Sequence, residues 1–64
     1  MDIRDMVVEL VYDNKDGLFP LQIAEGVNKR FKTNVTTRDV EQVIKKNSKL
    51  FVGENGKIKC PPTF

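Results

Sequence analysis

Apolar residues recur every three or four positions in three stretches of this chain, and near its end the spacing changes to two. Ile3, Met6, Val7, Leu10 and Val11 follow the i, i+3, i+4, i+7, i+8 pattern that lines one face of a helix. Asp2 precedes the run as an N-cap residue, and Asp5 three positions later predicts a capping box. The cluster Asp13-Asn14-Lys15-Asp16-Gly17 ends this helix, with Gly17 suited to a left-handed turn. Leu18-Phe19 is held extended by the proline that follows. Pro20 suits the first turn of a second helix running to Phe31, with Ile23, Val27 and Phe31 on one face and Ala24 beside them. Gly26 inside that helix costs on the order of 1 kcal/mol against alanine, which a close approach between helices would explain.

Lys32-Thr33-Asn34 forms the next turn, and Val35 docks the chain ahead of a third helix from Thr36 to Asn47. Thr36 and Asp39 predict a capping box at its start, and Val40, Val43 and Ile44 its buried face. Residues Leu50 to Cys60 read as a hairpin turning at Asn55-Gly56 in a type I′ turn. That register sets Glu54 opposite Lys57, Gly53 opposite Ile58, Val52 opposite Lys59 and Phe51 opposite Cys60. Phe51, Ile58 and Cys60 then face the core. Val52, Glu54, Lys57 and Lys59 share the other face, with Glu54 and Lys57 as an opposite-charge pair. A slip of one residue would reverse every side chain. Cys60-Pro61-Pro62-Thr63-Phe64 is a stiff tail, and Phe64 is expected either to pack on the core or to mark where a longer chain continues. Three helices followed by a hairpin define the fold class: α+β, a small winged helix-turn-helix, as a single domain over residues 1–64. In such folds the extended piece at Leu18-Phe19 often pairs with the wing.

The chain has 64 residues, close to the lower limit for folding without a metal or disulfides. Its one cysteine, Cys60, has no intramolecular partner, and the absence of histidine excludes a zinc site of the usual Cys/His kind. Asp13 and Asp16 around Asn14 loosely resemble a calcium loop, but the later glutamate at the required spacing is missing. No metal and no cofactor are expected. No catalytic set is present: there is no His, no second Cys and no glycine-rich phosphate loop, and Gly53 to Gly56 is a turn. A non-enzymatic role is therefore expected. No apolar run approaches a membrane span or a signal-peptide core. With the unpaired thiol, this points to an intracellular setting, cytoplasm or nucleus. A monomer is expected, with dimerisation to complete the small core as the structural alternative.

Charge is unevenly distributed. Residues 1–26 hold six acids against two bases, a balance of −4, and residues 27–64 hold nine bases against three acids, a balance of +6, giving the net +2. A dipolar domain of this kind can orient toward a polyanion despite its small total charge. The third helix carries Arg38, Gln42, Lys45 and Lys49 on one stripe with Lys46 alongside. The third helix of a helix-turn-helix enters the DNA major groove, where Arg and Gln reach base edges and Lys neutralises phosphate. The candidate nucleic-acid-binding residues are Thr37, Arg38, Gln42, Lys45, Lys46 and Lys49 on this helix and Lys57 and Lys59 on the wing. The competing reading is an ordinary solvated helix face, and Asp39 and Glu41 oppose polyanion binding. Lys29, Arg30 and Lys32 extend the basic rim or simply complement a helix C-terminus. Phe31 and Phe51 are expected in the core. Ordinary packing is also expected for Tyr12 and Phe19, with an exposed face for a base or a partner side chain as the alternative.

Two family resemblances bear on function. Asn14-Lys15-Asp16-Gly17-Leu18 resembles the turn after the first helix of LOTUS (OST-HTH) domains. Lys49-Leu50-Phe51-Val52 to Ile58-Lys59-Cys60 is similar to the hairpin that closes those domains. Val35-Thr36-Thr37 stands where that family usually has a longer segment with a Leu-Gly-Tyr/Phe motif. The resemblance implies a module of germline or RNA-regulating proteins that binds RNA or a DEAD-box helicase. The helicase-binding subtype has an extra C-terminal helix that this chain lacks. Arg38-Asp39-Val40 and Pro61-Pro62 more distantly resemble the Z-DNA-binding winged helix. Glu41 and Lys45 stand where that family has its contacting Asn and Tyr, so its function is not carried over. The expected function is nucleic-acid binding, RNA or DNA. The alternative is a protein-interaction winged helix, docking a helicase or a peptide on its acidic first helix or an apolar groove.

Overall fold

The computed structural model describes residues 2–62, and the expectation for Phe64 lies outside them. The elements follow in the order α1 (Ile3–Tyr12), α2 (Pro20–Phe31), α3 (Thr37–Lys46), a 3-10 turn (Ser48–Leu50), β1 (Val52–Glu54) and β2 (Lys57–Lys59). Three helices followed by an antiparallel hairpin give the α+β winged helix-turn-helix layout. No helix among the described residues is long and apolar enough to cross a membrane.

The helix boundaries have identifiable local causes. Asp2 caps α1 with an extended backbone but makes no side-chain cap bond, so the expected Asp2–Asp5 box does not form. The Arg4 guanidinium stands 3.8 Å from the Asp2 carboxylate and 3.4 Å from that of Asp5, holding both away from the helix amides. The α1 end is closed by the Asn14 side chain, which donates to the Leu10 carbonyl at 2.7 Å, and by Gly17 at φ +90. Helix α2 begins with Pro20 behind an extended Phe19. The Phe19 N–H donates to the Gln22 side chain at 2.9 Å, but a phenyl ring has no acceptor to return, so only half of a capping box is made. The α3 box is complete: the Thr36 N–H donates to Asp39 Oδ2 at 3.0 Å, and the Asp39 N–H donates to Thr36 Oγ1 at 3.1 Å.

Between α2 and α3 the chain is stapled by Asn28. Its Oδ1 accepts from the Val35 N–H at 2.6 Å and from Thr33 Oγ1 at 2.8 Å, and its Nδ2 donates to the Val35 carbonyl at 2.8 Å. One side chain thereby satisfies both backbone groups of buried Val35, which have no helical partner. This fixes where α3 begins.

The core is built from Val7, Val11, Ile23, Val27 and Val40, all essentially sealed from solvent, with Met6, Ala24, Val35 and Phe51 around them. Phe31, Val43 and Ile44 pack against it only partly buried, and Ile3 is exposed where the first turn of α1 overhangs the core. Gly26 lets α1 and α2 close together: a Cβ there would lie 2.7 Å from Leu10 Cδ2.

The wing has the expected register, Val52 with Lys59, Gly53 with Ile58 and Glu54 with Lys57, about left-handed Asn55 and Gly56. Leu18 adds a third strand of one residue. It exchanges two backbone bonds with Ile58, at 3.0 and 2.7 Å. The charge pairing differs from expectation. Glu54 Oε1 accepts from Lys59 Nζ at 2.8 Å rather than meeting Lys57 directly opposite. The right-handed twist of a two-stranded ribbon brings diagonal long side chains on one face together. Lys57 is drawn instead over the Phe19 ring, its ammonium 5.6 Å from the ring centroid.

Candidate nucleic-acid interface

Helix α3 is held from both ends, so its outer face is a fixed surface. The capping box sets its start, and Asn47 closes it by donating from Nδ2 to the Val43 carbonyl at 2.8 Å. With Val40 sealed inside and Val43 and Ile44 half-buried, the 3.6-residue period turns Arg38, Gln42, Lys45 and Lys46 outward, and all four are exposed. Lys49 lies beyond α3 in the 3-10 turn and is also exposed. Thr37, at the first helical position, is half-buried.

No ion pair engages Arg38, Lys45, Lys46 or Lys49 among the described residues. Asp39 is fixed in the cap with its carboxylate ionised, so its negative charge stays beside the stripe. The bonds from the Thr36 backbone and hydroxyl hold its pKa below the ordinary aspartate value. Glu41 remains exposed on the same helix. Lys46, Ser48 and Lys49 border a shallow cavity of about 400 Å³ where α3 runs into the 3-10 turn. Lys45 and Lys46 also fall in the last turn of α3, where positive charge is favoured without any ligand.

Of the remaining basic candidates, Lys29 and Lys32 are exposed with no ion pair among the described residues, and three others are engaged elsewhere in the fold. Lys59 is bound to Glu54, which raises the lysine pKa and lowers that of the glutamate. Lys57 covers Phe19. Arg30 bonds Asp13 at 2.7 Å, approaches Glu9 at 3.8 Å and lies over the Phe31 ring. It therefore ties α2 to α1 instead of extending a basic rim.

Two aromatics depart from the expected packing. Tyr12 is 58% exposed and Phe19 is 43% exposed. The signal for Phe19 was present in the sequence: it directly precedes a helix-opening proline, where Ser, Thr, Asp or Asn would cap. Tyr12 borders a groove of about 460 Å³ with Val11, Lys15, Cys60, Pro61 and Pro62. Burial pushes the Cys60 thiol pKa up, and its Sγ lies 4.0 Å from the Val8 carbonyl. Among the described residues no group of three or more His, Cys, Asp or Glu side chains gathers as a metal site. Comparison with known protein families, with curated proteins and with solved structures finds no match for this chain.

Proposed function

We propose that this chain is a non-enzymatic nucleic-acid-binding module, RNA or DNA, that uses the outer face of α3 and the wing. One contrast carries the reading. Arg30 and Lys59 are paired within the fold, and Lys15, Lys29 and Lys32 are exposed singly or at a helix end, whereas Arg38, Lys45, Lys46 and Lys49 gather on α3 and the turn after it, exposed without ion pairs among the described residues. Surface cations left unpaired on a rigid helix suit an external polyanion. In this reading the lysines bind phosphate, Arg38 and Gln42 reach base edges, and Thr37 adds a contact near the helix start. The resemblance of the 14–18 turn and the wing to LOTUS domains supports the same direction.

The test is the salt dependence of binding, measured by fluorescence anisotropy with labelled single strands and duplex. Four cations on phosphates give a log–log slope of about −2.8 on a single strand and about −3.6 on duplex. Replacing Arg38, Lys45 and Lys49 together with Ala should abolish most of that slope and of the binding. Unchanged binding by the triple variant refutes the proposal.

The groove at Tyr12, Pro61 and Pro62 supports a second reading, a module that docks an apolar peptide. Affinity there would be nearly indifferent to salt.

A further inference from the structure

The outer face of the wing has a feature that the α3 stripe does not use. The Leu18–Ile58 bridge places Phe19 in line with Lys57 and Glu54, and Gly17 in line with Lys59 and Val52, all on one side of the small sheet. Glycine at position 17 leaves room for the lysine stems to lie flat: a Cβ there would come within 2.9 Å of Lys59 Cγ and 3.1 Å of Lys57 Cβ. The Phe19 ring rests at the edge of this trough against the wing turn, its Cε1 3.3 Å from where a Cβ on Gly56 would be. Val52, opposite Lys59 on this face, is exposed.

Phe19 is poorly explained by stability. It forgoes the cap acceptor that a polar residue would supply, and it leaves much of its ring in solvent. Its ring is instead held face-on to a flexible cation. We propose that Phe19 is a stacking platform for one unpaired base of a single-stranded nucleic acid, with Lys57 swinging from the ring onto the adjoining phosphate. This rests on the nucleic-acid reading above and adds a preference for single strands to it.

The exchange is favourable on magnitudes. A base stacked on an aromatic side chain is worth roughly 5- to 150-fold in affinity, whereas an exposed cation–π contact is worth roughly 2- to 5-fold. Lys57 also keeps a partner, since phosphate replaces the ring. Every base has a π-face, so this contact selects unpaired over paired strands rather than one base over another.

The experiment compares wild type with Phe19→Ser, Phe19→Leu and Phe19→Trp, using labelled oligouridylate, oligothymidylate and duplex DNA at physiological salt. Phe19→Ser supplies a cap acceptor, and Phe19→Leu keeps apolar contact with the wing turn but has no π-face, so at least one of these keeps the fold. Both should lose about tenfold in single-strand affinity, with duplex affinity unchanged and the salt slope intact. Phe19→Trp should restore binding. Lys57→Ala should instead flatten the single-strand salt slope by about 0.7. Single-strand binding by Phe19→Leu equal to wild type overturns the proposal, as does an equal loss for single strand and duplex. If the α3 triple variant loses binding while the Phe19 variants do not, only this inference fails. If the wild-type chain binds no nucleic acid, both fail.

Discussion

Replacing Asn28 with alanine removes three hydrogen bonds at once, to the Val35 N–H, the Val35 carbonyl and Thr33 Oγ1. Each such bond contributes about 0.5–1.5 kcal/mol net. Asn28 and Thr33 are half-buried, so their bond belongs at the low end, while the groups of buried Val35 belong higher. Asn28 lies inside α2, where alanine regains about 0.5 kcal/mol of helix propensity. The net loss is about 2 kcal/mol, against a total stability of about 3–10 kcal/mol for a domain of this length. Urea unfolding followed by circular dichroism measures it. With a slope near 1 kcal/mol/M the midpoint should fall by about 2 M. Asn28→Asp keeps the acceptor but loses the donor to the Val35 carbonyl, and should lose about half as much. Thr33→Val should cost less again and should be non-additive with Asn28→Ala, since the two share a bond. A loss below about 0.5 kcal/mol for Asn28→Ala would refute the claim that this side chain sets the α2–α3 turn.

Three further outcomes are expected. Lys32 caps α2 in the left-handed region at φ 54, so Lys32→Gly should relieve strain and raise Tm by a few degrees, about 0.5–1 kcal/mol after the entropic offset; a lower Tm would contradict this. The folded-state pKa of Asp39 is depressed, so its contribution is present above the unfolded value near 3.9 and is lost as pH falls through the folded one. The stability gap between wild type and Asp39→Asn should therefore close below about pH 4, and a gap constant from neutral to acid pH would contradict the assignment. Burial raises the Cys60 pKa, so its reaction with a disulfide reagent at neutral pH should be slower in the native chain than in urea; equal rates would contradict it.

The hydrophobic spacing carried the architecture because each element's period and its stop residues agreed. Pro20, Gly17, the Thr36–Asp39 pair and Asn55-Gly56 act over a few residues of chain, so their consequences were legible locally. The sequence read less well where several partners competed for one group. Asp2 and Asp5 were drawn to Arg4 instead of the helix amides, and Glu54 took the diagonal Lys59 because the hairpin twists. Asn28 gave no sign of its role, because its partners Thr33 and Val35 meet it only after the chain turns. Among the candidate site residues, exposure on α3 followed from periodicity. The engagement of Lys57 and Lys59 followed from contacts that only the folded sheet creates.

The most direct test of nucleic-acid binding through α3 is a titration of the isotope-labelled chain with single-stranded RNA and duplex DNA, followed by NMR at physiological salt. The account predicts backbone and side-chain shifts concentrated on Thr36 to Lys49, with smaller ones at Lys57. Shifts that are diffuse and vanish when salt is added would contradict it and leave the α3 cations as a solvated face.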